Sequence, residues 1–441
     1  SNVYKKDFAL NNCVSKQTKR NHLNNESYIH DLDNYASGEH NCLTEPLDDL
    51  LAKGSKVGQT DIRPAGSINS AMQLTAVYFQ IQSQEQFGGV AASHYDWTMV
   101  PYVRKSFFKH YVLNYIKDQE DFDSLSVLSM TNDDIDDWVD SHKEEFLTKF
   151  NLTKDDFRLD NMKKLDKHYA NTALFDTKIE LMQAVEALYH NLNTLQSRPG
   201  SQLPFSSMNY GSCTLPEGQI VIEALLDGSL RGTGKYHLTP IFPCGIFQVG
   251  KGSNKKPGDP NYDLFRKALQ STAKRVYPNY ANLDWSGNKG YDKNDPKTYF
   301  STMGCRTANG WDINGLGQLK DGRGNICPQT IIMPTLAMQV LEENEVEDLR
   351  NGIISGDKEK KLDKFMRLLS RKIDQTKDSL IERFDWIASQ NPKSAPFMWT
   401  NGTMAGYVPE EGIRSALKHG TLAIGQLGLA ETLQILIGKN H

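Results

Sequence analysis

Gln329-Thr330-Ile331-Ile332-Met333-Pro334 reads as a short strand, and it feeds directly into a helical stretch from Thr335 to Glu343. The same pattern returns at Thr421 to Gly428, which feeds Leu429 to Ile437. A strand that runs straight into a helix, and does so again, is the signature of an α/β domain with parallel strands. Upstream, Tyr236 to Val249 reads as a strand interrupted by Pro240 and Pro243. Lys358 to Ser389 reads as a long charged helix lying outside the sheet or barrel.

Before residue 200 the texture is helical. From Ser67 to Phe87 the apolar residues Ile68, Met72, Leu74, Val77, Tyr78 and Ile81 predict a helix, ended by Gly88-Gly89. Tyr102 to Ile116 predicts another, aromatic on one side. Residues 118–166 are acidic with interspersed Lys, centred on Asp133-Asp134-Ile135-Asp136-Asp137, and read as short solvated helices rather than a metal site. Leu174 to Leu195 predicts an amphipathic helix, broken by Arg198-Pro199-Gly200. The first 27 residues are polar and rich in Asn and Lys, without apolar periodicity, and read as a tail or linker.

Composition narrows the function classes. With 54 acidic against 50 basic residues the net charge is −4, so there is no basic footprint for nucleic acid. A nucleotide ligand stays open, because one site can hold phosphate with backbone N–H groups and one or two cations. No stretch approaches the ~20 apolar residues that span a bilayer, and no apolar core follows Ser1-Asn2-Val3-Tyr4 to make a signal peptide. The expectation is a cytoplasmic protein. The six cysteines, at 13, 42, 213, 244, 305 and 327, form no C-x-x-C pair and no zinc spacing, so no metal site is expected. A chain this long and this poor in Cys is not a disulfide scaffold, and the triplets at Asn25, Asn151 and Asn401 carry no meaning as glycosylation sites. Taken singly, each cysteine reads as a small buried hydrophobe.

Two windows resist that bland reading. Ser301-Thr302-Met303-Gly304-Cys305-Arg306-Thr307 sets a Cys between Gly and Arg with little apolar periodicity, as if a thiol were presented at a loop tip. A neighbouring Arg favours the thiolate; a cysteine-protease nucleophile is the competing reading, without a His/Asn context to support it. Pro204-Phe205-Ser206-Ser207-Met208-Asn209-Tyr210-Gly211-Ser212 either cradles phosphate with backbone donors or is a plain Ser/Asn turn. Gly315-x-Gly317 and Gly232-x-Gly234 are fragments too short to use.

Taken together and in order, the windows resemble the class III anaerobic ribonucleoside-triphosphate reductases. The matching pieces are Tyr28-Ile29-His30-Asp31-Leu32-Asp33, His40-Asn41-Cys42-Leu43, Asp61-Ile62-Arg63-Pro64-Ala65-Gly66-Ser67-Ile68-Asn69 and Gln86-Phe87-Gly88-Gly89-Val90. The Ser206–Gly211 turn, Thr239-Pro240-Ile241-Phe242-Pro243, Met303-Gly304-Cys305-Arg306-Thr307 and Gly322-Arg323-Gly324-Asn325 follow. His419-Gly420-Thr421-Leu422-Ala423-Ile424-Gly425 and Gly428-Leu429-Ala430-Glu431 close the series, so the likeness runs from about residue 28 to the end.

The resemblance implies a ten-stranded α/β barrel of two five-stranded halves, with a central finger loop and peripheral helices. Residues 28–441 would be the catalytic core, with a helical dimer and effector region over about 66–200. Cys305 would carry a thiyl radical that takes the ribose 3′ hydrogen, so that water leaves from C2′. Cys42 would be the second redox thiol, facing Cys305, and Asn325 would hydrogen-bond the ribose or the reductant. Met303 would be a polarizable neighbour. The trio Cys42, Cys305 and Asn325 looks like the subgroup that oxidises formate. Substrate triphosphate would bind at Ser206, Ser207, Asn209, Gly211 and the helix start near Thr335, with His30 as an effector contact.

The implied partners are ribonucleoside triphosphates, dNTP or ATP effectors, formate, a radical S-adenosylmethionine activating enzyme and a second copy of the chain. No cofactor is expected within this chain. The family's ATP cone, its four-Cys zinc site and its glycyl-radical loop match nothing between Ser1 and His441, which reads as a truncated piece or as half of a split enzyme that needs a C-terminal glycyl-radical polypeptide. The alternatives are another glycyl radical enzyme core, or a nucleotide-binding, dimerising fragment with no turnover of its own.

Overall fold

Strands such as Cys244–Val249 and Asn325–Ile332 are short, mostly apolar or β-branched runs, whereas Ser206–Tyr210 and Asn279–Asn282 are largely polar. The computed structural model describes residues 2–118, 132–198 and 202–439. In chain order the strands are β1 (Ser27–Ile29), β2 (Leu43–Thr44), β3 (Ser55–Val57), β4 (Thr60–Ile62), β5 (Val90–Ala92), β6 (Ser206–Tyr210), β7 (Cys244–Val249), β8 (Asn279–Asn282), β9 (Asn325–Ile332) and β10 (Thr421–Leu427). They assemble in the orders β2-β5-β6-β7-β8, β1-β9-β10 and β3-β4. Mixed α/β structure with parallel strands is therefore present. The two equal halves of a barrel are not: among the described residues the sheets hold five, three and two strands. One reason is local, since β3 and β4 pair only with each other, antiparallel around Gly58.

The chain divides into two compact units rather than a tail and one core. Unit 1 comprises Ser1–Leu43, Glu85–Gly88 and Arg323–His441; unit 2 comprises Thr44–Gln84 and Gly89–Gly322.

In unit 1, β9 pairs antiparallel with β1 and parallel with β10. The long helix Lys358–Ala388 packs on β9 and buries Leu380, Arg383 and Ile387. The first 27 residues are not a tail. They form α1 (Asn2–Asn12) and α2 (Lys16–Leu23). Their polarity hid the few residues that dock them: Ala9 packs with Ile29, Leu32 and Tyr35, and Thr18 Oγ1 donates to Glu382 Oε2 at 2.9 Å. Lys372 Nζ, buried, donates to Asn21 Oδ1 at 3.0 Å and to Glu26 Oε2 at 2.7 Å. A tertiary ion pair and a handful of contacts thus order a segment with no amphipathic stripe.

In unit 2 the strands β5, β6, β7 and β8 run parallel. The helix Tyr95–Lys117 packs on β6 and the helix Tyr262–Arg275 on β7, and every residue of β6 is buried. α3 (Leu47–Lys53) precedes the hairpin. α4 (Ile68–Gln82) opens on the capping box of Ser67 and Ser70 and stops short of Phe87. α5 (Tyr95–Lys117) starts well before Tyr102 and runs through Pro101. The intrahelical bond that Pro101 deletes is outweighed by burial of Tyr95, Met99, Val100 and Val103. The helix Lys167–Thr194 likewise starts early, at Asp166, whose carboxylate accepts from the N–H groups of His168 and Tyr169.

The acidic run is not simply a wet face. Its stretch 119–131 lies outside the described residues, as does Pro199-Gly200. The helix Asn132–Lys149 and the turns behind it bury Val139, Phe146, Leu147, Phe157 and Leu165 against Phe107 and Tyr111 of α5.

Candidate active site and nucleotide cavity

Side chains at alternate positions of a strand share a face, and the face of β6 and β7 away from those two helices holds a loop. Ser207 and Asn209 of β6 lie on it, with Cys244 and Gln248 of β7; Ser207 and Cys244 are register partners. Gln248 Nε2 donates to Phe300 O at 3.0 Å and to Ser93 O at 3.1 Å. Asn209 Nδ2 donates to Thr302 O at 2.8 Å and to Ala92 O at 2.9 Å, and its Oδ1 accepts from Thr302 N at 3.1 Å. Ser207 Oγ accepts from Gly304 N at 3.1 Å. Residues 300–304 therefore run along a polar track, with Asn209 bonding both backbone groups of Thr302 as a neighbouring strand would.

The track ends in a tight turn. Arg306 N donates to Met303 O at 2.8 Å and Met303 N to Thr307 O at 3.0 Å. Arg306 sits at φ +68°, a left-handed conformation that a non-glycine residue adopts only when its surroundings impose it. Met303 is buried and Cys305 is exposed, its Sγ 3.3 Å from Thr307 Oγ1. The loop-tip reading of Cys305 holds.

Beside the carboxyl end of β5 lies a buried cluster that the sequence did not disclose. His94 Nδ1 is 2.6 Å from Ser93 Oγ, and Ser93 Oγ donates to Asp321 Oδ1 at 2.5 Å. His94 Nε2 is 3.1 Å from Asp48 Oδ2, whose other oxygen accepts from Thr98 Oγ1 at 2.7 Å. Burial alone would lower the His94 pKa, but Asp321 and Asp48 hold it up at about 9. Burial pushes Asp321 up to about 6 against the pull of His94. Asp48, although burial opposes it, is held well below the usual carboxylate range by His94, Thr98 and Lys297. Asp96, also buried, accepts from Gly211 N at 2.8 Å and Cys213 N at 2.9 Å, so Gly211 is tied to protein.

In unit 1 the structure brings Cys42 and Asn325 together. Cys42 N donates to Asn325 O at 2.9 Å, and both residues are buried. The approach requires Gly324, where a methyl group would stand 1.7 Å from Cys42 O.

A family model for the anaerobic ribonucleoside-triphosphate reductases matches residues 1–441. The chain belongs to that family. Reductases of this name from Haemophilus influenzae and Escherichia coli K12 are 26% and 24% identical to it, each over 100% of this chain and 52% of its own length. That of Enterobacteria phage T4 is 25% identical over 97% of this chain and 61% of its own. The chain thus spans about half the length of the cellular relatives. Two structures of the anaerobic ribonucleotide reductase of Thermotoga maritima cover 99% of this chain at 14% identity. The complex with dATP and CTP aligns at TM-score 0.58, over 59% of that chain. The structure with dATP bound in the specificity site aligns at 0.59, over 61%. At that identity the likeness speaks for the fold.

Among the residues that the family resemblance singled out, Cys42 and Asn325 lie in unit 1, with Met303 and Cys305 in unit 2. Ser206, Ser207 and Asn209 are buried in β6, where Ser207 and Asn209 bond the backbone of Gly304 and Thr302. The helix that follows Gly211 begins at Pro216. Thr335 lies within the helix Met333–Gln339, and its hydroxyl accepts from Asn25 Nδ2 at 3.3 Å. His30 Nε2 is 2.7 Å from Thr330 Oγ1 in unit 1.

Unit 2 also contains a cavity of about 1040 Å³ at the start of α4. Its wall carries Arg63, Lys105, Lys109, Lys143 and Lys154 against the carboxylates of Asp137 and Asp140. Ser67 and Ser70 line it too, and His30 does not. Sequence reasoning placed an effector region here but missed the cations, which come from the hairpin, α5 and the acidic run. No helix among the described residues is long and apolar enough to cross a membrane.

Proposed function

We propose that the chain carries the substrate-reducing core of an anaerobic ribonucleotide reductase, converting ribonucleoside triphosphates to 2′-deoxyribonucleoside triphosphates. The observation that carries this reading is Cys305, presented at an exposed loop tip on a buried polar track within a chain that matches the family throughout. A glycyl radical on a separate polypeptide segment, made by a radical S-adenosylmethionine activase, supplies the oxidising equivalent. Cys305, as a thiyl, takes the 3′ hydrogen of the ribose, and water leaves from C2′. The track serves this step by fixing the loop so that the sulfur meets one hydrogen. Cys42 and Asn325 serve on the same ribose, Cys42 as the second thiol and Asn325 as a hydrogen-bond donor, with formate oxidised to carbon dioxide. On this reading the five-stranded sheet backs the loop, in a cytoplasmic enzyme. Ser207 and Asn209 position the loop, and the substrate phosphates rest on helix starts such as that at Pro216.

The cationic cavity suits the polyphosphate of a dNTP or ATP effector, because five cations and two carboxylates stand among its described lining residues. A second copy of the chain would dock on the helix Lys167–Thr194, whose Phe175, Ile179 and Met182 are exposed, next to Val77 of α4. The test is reconstitution: the chain, a C-terminal glycyl-radical polypeptide from a relative, activase and formate, under anaerobiosis. Formate-dependent dNTP formation that vanishes in Cys305→Ser, with nucleotide affinity intact, is the expected result. Nucleotide binding and dimerisation without turnover would favour the fragment reading, and turnover that survives Cys305→Ser would end the radical assignment.

A further inference from the structure

We propose that Cys244 is the resolving thiol of Cys305, so that the loop tip is a site of reversible thiolation by low-molecular-weight disulfides. Cys244 opens β7 on the face that holds the loop, in register with Ser207. With Ser207, it is one of the two side chains of the track that lie against Gly304. A methyl group at Gly304 would lie 3.8 Å from both Cβ and Sγ of Cys244, so the thiol packs directly on the residue before Cys305. Consecutive Cα atoms are about 3.8 Å apart, and a disulfide joins Cα atoms about 4.4–6.8 Å apart. A shift of the exposed tip by no more than one residue's length brings the pair into that range.

The setting of Cys244 differs from that of a filler thiol. Cys213 and Cys327 are fully buried, and burial pushes the Cys327 thiol up to about 12. Cys244 is half-buried, with its Sγ 3.4 Å from Tyr277 Oη. That hydrogen bond, burial and the nearby Cys244 sulfur push the Tyr277 hydroxyl up to about 12, and the Arg306 guanidinium pulls the other way. Arg306, the residue after Cys305, is thus close enough to act on the hydroxyl that bonds Cys244, which puts the loop tip and Cys244 in one neighbourhood.

The chemistry balances without a further reactant. The Cys305 thiolate attacks one sulfur of glutathione disulfide, forming a mixed disulfide and releasing one glutathione thiolate. Cys244 then loses its proton to solvent and attacks the Cys305 sulfur, which forms the Cys244–Cys305 bond and expels the second glutathione. Two protein thiols are oxidised and one disulfide is reduced to two thiols. The bond pins the tip to β7 and withdraws the sulfur to which the proposed function gives the radical. The bond itself rests on the loop geometry alone, and its test needs no turnover.

The experiment treats the full chain anaerobically with glutathione disulfide and maps every cysteine by mass spectrometry of non-reduced peptides. Wild type is expected to give a 244–305 cross-link with little accumulated mixed disulfide. Cys244→Ser, its circular dichroism unchanged, should instead retain glutathione on Cys305, and Cys305→Ser should leave Cys244 a thiol. Tyr277→Phe should slow the second step several-fold and spare the first, which a merely structural contact would not do. Stable glutathione on Cys305 of the wild type, an unreacted Cys305, or a cross-link from Cys305 to any other cysteine overturns the proposal.

Discussion

The inner face of β6 and β7 and the cavity at the start of α4 belong to the same unit, and both are lined with polar side chains. On the inner face each amide and hydroxyl that builds the track bonds backbone: Asn209 holds Ala92 and Thr302, Gln248 holds Ser93 and Phe300, and Ser207 holds Gly304. In the cavity the bonds are fewer and the charges do not balance. Lys143 meets Asp140 at 2.8 Å, Lys154 meets Glu144 at 3.8 Å and Lys105 caps the carbonyl of Ala65 at 2.9 Å, but among the described residues of the wall cations outnumber carboxylates. Burial accordingly lowers the Lys105 pKa. The difference separates a scaffold from a receptor. Polar groups matched to backbone within the protein hold shape, whereas a wall rich in cations would gain further partners from an anion.

The comparison predicts opposite responses to substitution. The largest effect is expected at His94. His94→Leu leaves the buried Asp321 and the half-buried Asp48 around an apolar side chain, and should destabilise unit 2 by about 3–5 kcal/mol in denaturant titrations, without changing nucleotide affinity. A loss of affinity with stability intact would make the cluster a receptor instead. Asn209→Leu strands the carbonyls of Ala92 and Thr302 and the N–H of Thr302, a cost of about 2–3 kcal/mol. Hydrogen exchange over 302–304 should rise in the same variant, and unchanged protection there would mean that the loop is held by something else.

The pH response comes next. The His94 pKa stands at about 9 in the fold against an ordinary 6.5, so the imidazolium's contribution is complete below 6.5 and is lost as pH rises through 9. Wild-type stability should fall by on the order of 2 kcal/mol across that window. The decline should be absent from His94→Leu. The smallest change is on the receptor side. Lys105→Met should weaken triphosphate binding about tenfold, measured by calorimetry, and shift stability by less than about 0.5 kcal/mol. A stability loss larger than the affinity loss would break the distinction between the two regions.

The family was legible because its signals are local. The windows around Cys42, Cys305 and Gly322–Asn325 are contiguous, and Gly304-Cys305-Arg306 reads as a turn that lifts a thiol from the chain. Strand-into-helix passages at 329–343 and 421–437 are equally local, and both are found, with β9 running to Ile332 ahead of the helix Met333–Gln339. Signals that lie in spacing across strands were missed. Ser207 and Asn209, and Cys244 and Gln248, share one face of their strands, which is how a buried polar track announces itself. The first 27 residues were misread because Thr18, Asn21 and Glu26 are polar in sequence and become docking groups only against Glu382 and Lys372.

The amino-acid sequence by itself determined the family, the α/β class and the thiol at the loop tip, because short-range order and residue type suffice for each. Only the tertiary structure decided what the polar residues do. Whether Asn209 greets a phosphate or a peptide depends on Thr302 arriving beside it, and whether His94 carries a charge depends on Asp48 and Asp321, which are remote in the chain. A side chain's hydrogen-bond capacity is written in the sequence; its partner, and hence its ionisation and its role, is set by burial among residues that the fold brings together.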